Sequence, residues 1–266
     1  MVVTGCAQLP PALTAYHVVP PTSATEMQVI TPDGLDILTR LLENFEIRPT
    51  YHEELDFLLE RWSKKCEVRH RHIGANGNGW RSDWALVCLE NAWKGVNGSW
   101  MNDEMTDFYI QMNRGTPEET FTGANGIVSC ADPMADTICY KDGAGTGCTA
   151  GRVGPTEAFM FRKGTAEAIT EEEMQEQKTP SSEVDCTRLV TVHPIEVGDV
   201  ALPGDSGCGV FFPVLEKDDW SWAGQFVSLF HSMKGPSLSL IVPQSEILRS
   251  LQEVTGKSWH LSVKNT

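Results

Sequence analysis

The 266-residue chain carries 36 acidic against 21 basic residues, and its net charge of −15 argues against nucleic acid or an anionic membrane as the main partner. Its composition, 41% hydrophobic and 21% charged, is that of a globular protein with a sizeable core. The sequence has no run of eighteen apolar residues and no basic leader, so neither a membrane span nor a secretory signal is predicted. By default, an intracellular location is expected. The eight cysteines are therefore interpreted as thiols rather than as a disulfide framework.

The N-terminal run 12–19 is apolar and β-prone, and Pro20-Pro21 ends it because proline cannot donate to a strand ladder. It contains His17, which is either a structural histidine at a strand end or a catalytic base. Leucines at helical spacing then predict two amphipathic helices. We expect them to form an αα-hairpin, inserted over about residues 31–65 and packed on a sheet.

The segment 69–79 is predicted to form an exposed basic tip and a glycine-rich loop. His70 and His72 could ligate a metal there, but no third ligand accompanies them, so no metal site is predicted. Asp83 opens the run 84–89, which is apolar at nearly every position and predicts a strand buried on both faces. Asp83 is then either a carboxylate with a buried partner or a cap or turn residue.

The second half of the chain is rich in turns and β-prone runs. Strands are predicted near residues 126–130, 137–140, 188–192, 210–212, 223–230 and 238–242. A glycine-punctuated hairpin is predicted over 141–153. Its glycine spacing also resembles a dinucleotide-binding turn, but no amphipathic helix follows, so no cofactor is predicted. A solvated acidic loop is expected over about 165–186, and a C-terminal helix over about 244–255 that stops at Gly256.

The motif Gly204-Asp205-Ser206-Gly207 places a serine among glycines just before an apolar run. Glycines permit backbone conformations that a side chain would forbid, so the amides of Gly204 and Ser206 could both donate to a developing oxyanion. A serine hydroxyl is a weak nucleophile unless a base removes its proton. This interpretation therefore requires a histidine and an orienting carboxylate, for which His17 and Asp83 are the candidates.

In the order His17, Asp83, Ser206 the chain resembles the trypsin-like serine peptidases of the PA clan, whose catalytic triad has that order. Five segments carry the resemblance: 13–19, 83–86, 141–153, 204–207, and 239–256, which is similar to the family's closing strand and C-terminal helix. The third of these is similar to the Lys-x-Gly-x-x-Thr-Gly-x-Thr-x-Gly-x-Val hairpin of the family's second barrel. Between these motifs the resemblance is loose.

The resemblance implies an all-β dominated fold of two six-stranded β-barrels, with an N-terminal lobe over residues 1–120 and a C-terminal lobe over 121–266. Only sixteen residues precede His17, so either the first barrel is incomplete or the chain is a fragment or begins from a late start. The resemblance also implies a serine endopeptidase that cleaves peptide or protein substrates without a cofactor. The alternative is a catalytically silent member of the family that serves as a binding or scaffold module.

The residue roles follow from the resemblance. Ser206 is the nucleophile, His17 the general base and Asp83 the residue that orients the imidazole, while the Gly204 and Ser206 amides form the oxyanion hole. No activation peptide is recognisable whose new terminus could pair with Asp205, so an active enzyme must order the oxyanion loop in another way.

The same resemblance places three residues in the primary specificity pocket. Val200 lies six residues before the serine, at the expected base of the pocket, and Ser228 and Phe230 lie along its wall. Because no carboxylate stands at position 200, selection of arginine or lysine is not expected. A small or apolar substrate side chain is predicted instead.

Overall fold

The computed structural model describes residues 3–4, 12–14, 26–30, 63–89, 101–116, 121–123, 127–143, 145–162, 185–195, 198–202, 204–230 and 237–261. Strands dominate this part of the chain, and two α-helices accompany them. The predicted all-β dominated fold with a C-terminal helix is therefore confirmed. No helix in these ranges is long and apolar enough to cross a membrane.

The N-terminal half contributes a four-stranded antiparallel sheet in the order β2-β5-β4-β3. Its strands are β2 (Ala12–Thr14), β3 (Glu26–Ile30), β4 (Ser63–Ala75) and β5 (Arg81–Leu89). A short strand β1 (Val3–Thr4) precedes them and pairs with the C-terminal segment. The side chains of residues 84–87 on β5 are all buried, which confirms the predicted core strand.

The C-terminal half contains a closed ring of six antiparallel strands. After a helix α1 (Met101–Met112) and a strand β6 (Ile127–Cys130), these are β7 (Ile138–Gly143), β8 (Gly147–Arg162), β9 (Asp185–Pro194), β10 (Gly209–Val214), β11 (Asp219–Phe230) and β12 (Leu238–Pro243). Pairing runs β7-β8-β9-β12-β11-β10 and returns from β10 to β7. The six-stranded C-terminal barrel expected from the sequence is thus present, and β6 adds to β11 in parallel.

A cluster of aromatic rings packs α1 against this barrel. Tyr109 of α1, Phe121, Tyr140 of β7 and Trp220 of β11 lie edge to face, with ring centroids 4.9–5.9 Å apart. All four side chains are buried. Edge-to-face pairs contribute about 0.5–1.5 kcal/mol each beyond the area they bury, so the cluster fixes α1 on the barrel.

The C-terminal helix α2 (Gln244–Thr255) has the bounds predicted from the sequence and ends at Gly256, which is left-handed with φ +67°. In the first turn of α2, the Ser245 amide donates to the Asp132 carboxylate at 3.1 Å. This gives an acceptor to one of the amides that have no partner within the helix. The chain continues into β13 (His260–Leu261), the partner of β1. The predicted apolar face is only partly buried, because Val254 is 44% exposed.

Two local predictions were wrong. Residues 69–72 lie within β4 rather than in a basic tip, because their backbone pairs with the buried strand β5; only 76–79 form the turn. Residues 63–65, assigned to the end of the αα-hairpin, also belong to β4. The rest of that hairpin lies outside the described residues. So does the acidic loop, except that its last two positions, 185 and 186, begin β9.

Candidate functional site

The Ser206 turn contains two glycines with positive φ and is held by two backbone hydrogen bonds. Gly204 has φ +107° and Gly207 has φ +89°, in a region that other residues rarely adopt. The Gly207 amide donates to the Phe226 carbonyl of β11 at 2.9 Å, and the Cys208 amide donates to the Asp205 carbonyl at 3.0 Å. Ser206 is half-buried in this turn, three residues before β10 begins.

Two amide groups of this turn are available to a ligand. Among the described residues, neither the Gly204 nor the Ser206 amide has a protein acceptor. Backbone donors without an acceptor have to be satisfied by water or by a bound group. These are the two amides that the sequence motif assigned to an oxyanion hole.

The carboxylate of Asp205 anchors the turn from inside. Asp205 is 1% exposed and receives hydrogen bonds from the Lys141 ammonium (2.9 Å), the Gly145 amide (2.7 Å), the Thr146 amide (3.2 Å) and hydroxyl (2.9 Å), and the Leu202 amide (2.9 Å). Lys141 is 2% exposed. The two charges therefore neutralise each other in the interior, which a buried carboxylate requires.

These contacts determine the protonation state of Asp205. Burial raises its pKa, but the hydrogen bond from the Leu202 amide and the hydrogen bond and charge of Lys141 outweigh burial and lower the pKa below its ordinary value. The neighbouring hairpin is shaped for this carboxylate, since a Cβ at Gly143 would overlap it. Lys141 thus supplies the cation that the sequence analysis could not find for Asp205.

Asp83 lies on β5 of the first sheet and is 5% exposed. Its carboxylate accepts a hydrogen bond from the Arg81 guanidinium at 3.3 Å, and Arg81 itself is only 9% exposed. Of the two interpretations that the sequence left open, the structure shows the buried carboxylate with a charged partner. Arg81 was missed by sequence reasoning.

The backbone around Asp83 is tied to α2 by one hydroxyl group. Ser250 of α2 binds the Ser82 hydroxyl at 2.5 Å and accepts the Trp84 indole N–H at 2.8 Å, and all three side chains are at most 2% exposed. Nearby, the Asn76 amide donates to the Glu246 carboxylate of α2 at 2.8 Å. The helix of the C-terminal half thereby fixes both neighbours of Asp83.

Of the remaining predicted site residues, the structure describes the side chains of Val200 and Ser228 only. His17 lies outside the described residues, as does the side chain of Phe230. Val200 is 5% exposed and packs in the second barrel, and Ser228 is half-buried on β11 opposite Leu240. Their roles in substrate selection stay predictions.

Other nucleophiles and metal ligands were also considered. Burial raises the pKa of both the Cys139 and the Cys208 thiol to about 12, so neither is a thiolate near neutral pH. Within the described ranges no group of three or more histidine, cysteine or acidic side chains could hold a metal ion. Ser206 is therefore the candidate nucleophile of this site.

Replacement of Lys141 tests the anchor of the serine turn. We expect Lys141→Met to lower the free energy of unfolding at pH 7 by about 3–5 kcal/mol, because it leaves the Asp205 charge buried and unpaired. The stability that Asp205 contributes is complete above its ordinary pKa of 3.8 and is lost as the pH falls through its lower folded pKa. Urea unfolding from pH 7 to pH 2 measures both effects. Lys217→Met, at an exposed lysine, serves as the control, and equal stability of the two variants would contradict the role of Lys141.

Replacement of Ser250 tests the connection between α2 and Asp83. Ser250→Ala leaves the Trp84 indole and the Ser82 hydroxyl without their buried partner, and we expect a loss of about 2–4 kcal/mol in the free energy of unfolding. Ser258→Ala, at an exposed serine, should change it by less than about 0.5 kcal/mol. Indistinguishable denaturation midpoints for the two variants would refute the connection.

No protein-family model matches the sequence, and no curated protein matches it. The comparison with solved structures finds several proteases, each at low identity and with a TM-score below 0.5. Nocardiopsis protease (NAPase) is 10% identical with a TM-score of 0.48, over 97% of this chain and 89% of that one. Thermobifida fusca protease A is 12% identical with a TM-score of 0.46 (99% and 89% covered), and Cellulomonas bogoriensis chymotrypsin is 12% identical with a TM-score of 0.39 (98% and 96% covered). At these values the similarity assigns neither a catalytic residue nor a substrate to this chain.

Proposed function

We propose that the chain is a serine endopeptidase that works through a His17-Asp83-Ser206 triad and an acyl-enzyme intermediate. The observation that carries the proposal is the Ser206 turn. There a buried ion pair, Lys141–Asp205, anchors the turn that carries the half-buried Ser206, and no described residue accepts a hydrogen bond from the Gly204 or Ser206 amide. Two backbone donors beside one serine hydroxyl are the arrangement that can stabilise the oxyanion of an acyl-transfer reaction.

The proposed mechanism gives each residue one task. The Ser206 Oγ attacks the scissile carbonyl carbon while His17 removes its proton, and the carbonyl oxygen becomes an anion that accepts from the Gly204 and Ser206 amides. His17 then protonates the leaving amine, which departs and leaves an acyl-Ser206 ester. Water, deprotonated by His17, hydrolyses the ester and restores the serine. Asp83 orients the imidazole and stabilises its charged form.

The pairing of β2 with β5 supports the assignment of His17. Leu13 lies opposite Leu86 and Thr14 opposite Ala85, so β2 runs antiparallel toward Asp83. His17 follows Thr14 by three residues, which span at most about 11 Å. Asp83 lies two residues from Ala85, or about 7 Å along the strand. The chain connection therefore permits His17 to reach the carboxylate.

The nucleophile is tested by labelling with a fluorophosphonate. We expect the wild-type protein to gain one adduct, and Ser206→Ala to gain none, because only a serine with an activated hydroxyl reacts at neutral pH. His17→Ala and Asp83→Asn should label at least about 100-fold more slowly, since each removes a part of the activating pair. Intact-protein mass spectrometry measures the rates.

A matched control is Ser258→Ala, since the exposed Ser258 hydroxyl lies 3.2 Å from the His260 ring without the glycine turn. This variant should label at the wild-type rate. Persistent labelling of Ser206→Ala would place the nucleophile elsewhere. A wild-type protein that binds peptides but is never labelled would favour the alternative, a catalytically silent binding module.

The proposed specificity is for a small or apolar residue before the cleaved bond. Val200 stands at the expected pocket base, where its side chain is apolar and no carboxylate is present. An uncompensated lysine or arginine side chain is costly to bury in such surroundings. A peptide-library cleavage profile should therefore show alanine, valine, leucine or phenylalanine at this position. Cleavage strictly after lysine or arginine would defeat the assignment of Val200.

A further inference from the structure

We propose that the outer edge of β8, over residues 157–161, binds the same edge of a second copy of this chain and forms a two-fold symmetric homodimer. This inference is independent of the proposed peptidase activity. Strand β7 pairs with β8 over residues 147–152, and the hydrogen bonds of Val153 with Asp136 and Thr137 end that contact. Beyond that point β9 is the one strand beside β8 within the described ranges, so the opposite edge of β8 is open.

The direction of the backbone groups at this edge follows from the pairing with β9. The Arg188 amide of β9 donates to the Gly79 carbonyl at 2.8 Å, so it does not donate to β8. In an antiparallel ladder the N–H and C=O of one residue point to the same side, so Arg188 and its cross-strand partner Phe159 are a non-hydrogen-bonded pair. The N–H and C=O of Phe159 therefore point to the open edge. Those of residues 157 and 161 do the same, because the direction alternates along the strand.

The side chains of this stretch make the edge apolar. Phe159 is 56% exposed and faces Arg188 across the strand pair. On the other face, Ala158 and Met160 are half-buried against the hydrophobic core. Folded proteins usually protect an exposed edge of this kind with a lysine, a proline or a bulge within the strand. Here Pro155 and the bulge lie before Glu157, so residues 157–161 stay available for pairing with another strand.

The charges at this edge favour a second copy over a strongly charged partner. Glu157 is the one charged residue among 156–161, and its carboxylate accepts two hydrogen bonds from the Arg188 guanidinium, at 2.7 and 2.8 Å. The pair is neutral, whereas the whole chain carries a net charge of −15. Two copies of so acidic a protein repel each other, and a neutral edge reduces that repulsion. A basic or acidic peptide, in contrast, finds no unpaired charge among residues 156–161.

The edge is complementary to itself in one register. A two-fold axis at Phe159 makes the two strands antiparallel and places Phe159 opposite Phe159 of the partner subunit. Residue 157 of each copy then lies opposite residue 161 of the other. All three facing pairs are of the hydrogen-bonded kind, so they form about six hydrogen bonds in total. An axis at Glu157 would instead place two carboxylates opposite each other and set Pro155, which has no N–H, opposite Phe159.

Sedimentation equilibrium of the full chain tests the inference. We expect a reversible monomer–dimer equilibrium with a dissociation constant of about 1–100 µM, because an edge pairing buries less area than an obligate interface. Phe159→Lys should raise this constant at least about tenfold, since it places like charges opposite each other at the axis. Met134→Lys adds the same charge at a methionine that is 66% exposed and lies outside β8, and should leave the constant nearly unchanged.

A cysteine at position 159 tests the register. Facing residues of a hydrogen-bonded pair have Cα atoms about 5.5 Å apart, within the range that a disulfide spans. With oxidised glutathione as the oxidant, Phe159→Cys should therefore give a covalent dimer as the main product on a non-reducing gel. The wild-type protein, with its exposed Cys130 and Cys186, and the Met134→Cys variant should remain mainly monomeric on the same gel.

Three results would overturn the inference. The first is a wild-type protein that stays monomeric up to about 200 µM, above the expected dissociation constant. The second is a dimer that Phe159→Lys leaves intact, since its interface would then lie elsewhere. The third is a Phe159→Cys variant that cross-links no more than the wild-type protein. If Phe159→Lys does not fold, the cross-linking yield decides the question. Fluorophosphonate labelling of Ser206 is a separate measurement, so the peptidase proposal can fail while the dimer is found, and the reverse.

Discussion

The buried carboxylate of Asp205 is the constraint on which the candidate site depends. A carboxylate that is 1% exposed needs a nearby cation and several donors, and Lys141 together with the 145–146 hairpin turn supplies them. Because Asp205 is bonded through its side chain to β7 and the β7–β8 turn, the adjacent Ser206 cannot move independently of the barrel. Within the part of the chain that the structure describes, the amides of Gly204 and Ser206 have no protein acceptor. Preorganised donors of this kind can stabilise an anion without rearrangement during the reaction.

A second set of interactions brings the first sheet to this barrel. Helix α2 packs between them, and its Ser250 hydroxyl fixes the two neighbours of Asp83. Strand β9 of the barrel makes a further contact with the first sheet. Its Arg188 guanidinium lies 4.6 Å from the centre of the ring of Trp80, the residue before β5. Asp83 therefore sits on a strand that is held from both sides. A triad divided between two sheets requires such contacts, since small displacements of its members lower the rate strongly.

Local signals in the sequence predicted much of this structure, and long-range pairings were beyond them. Glycine spacing indicated the serine turn and the 141–153 hairpin, and an apolar stripe with Gly256 as its stop indicated α2. Helix α1 was not predicted, although Met105, Phe108, Tyr109 and Met112 recur at helical spacing; the buried side chains of Met105 and Tyr109 hold it in the core. The partnership of Lys141 with Asp205 joins positions 64 residues apart, and no periodicity reveals such a pair. Strand β4 was misread because charge suggested an exposed loop, whereas pairing with β5 determines its conformation.

The central claim is that Ser206 and the flanking amides form a reactive site with His17 and Asp83. A crystal structure of the protein after reaction with a fluorophosphonate tests it most directly. We expect phosphorus bonded to the Ser206 Oγ, its free oxygen within about 3 Å of both the Gly204 and Ser206 amide nitrogens, and the His17 ring between Ser206 and Asp83. An adduct on another residue, or a phosphoryl oxygen that points away from both amides, would contradict the account.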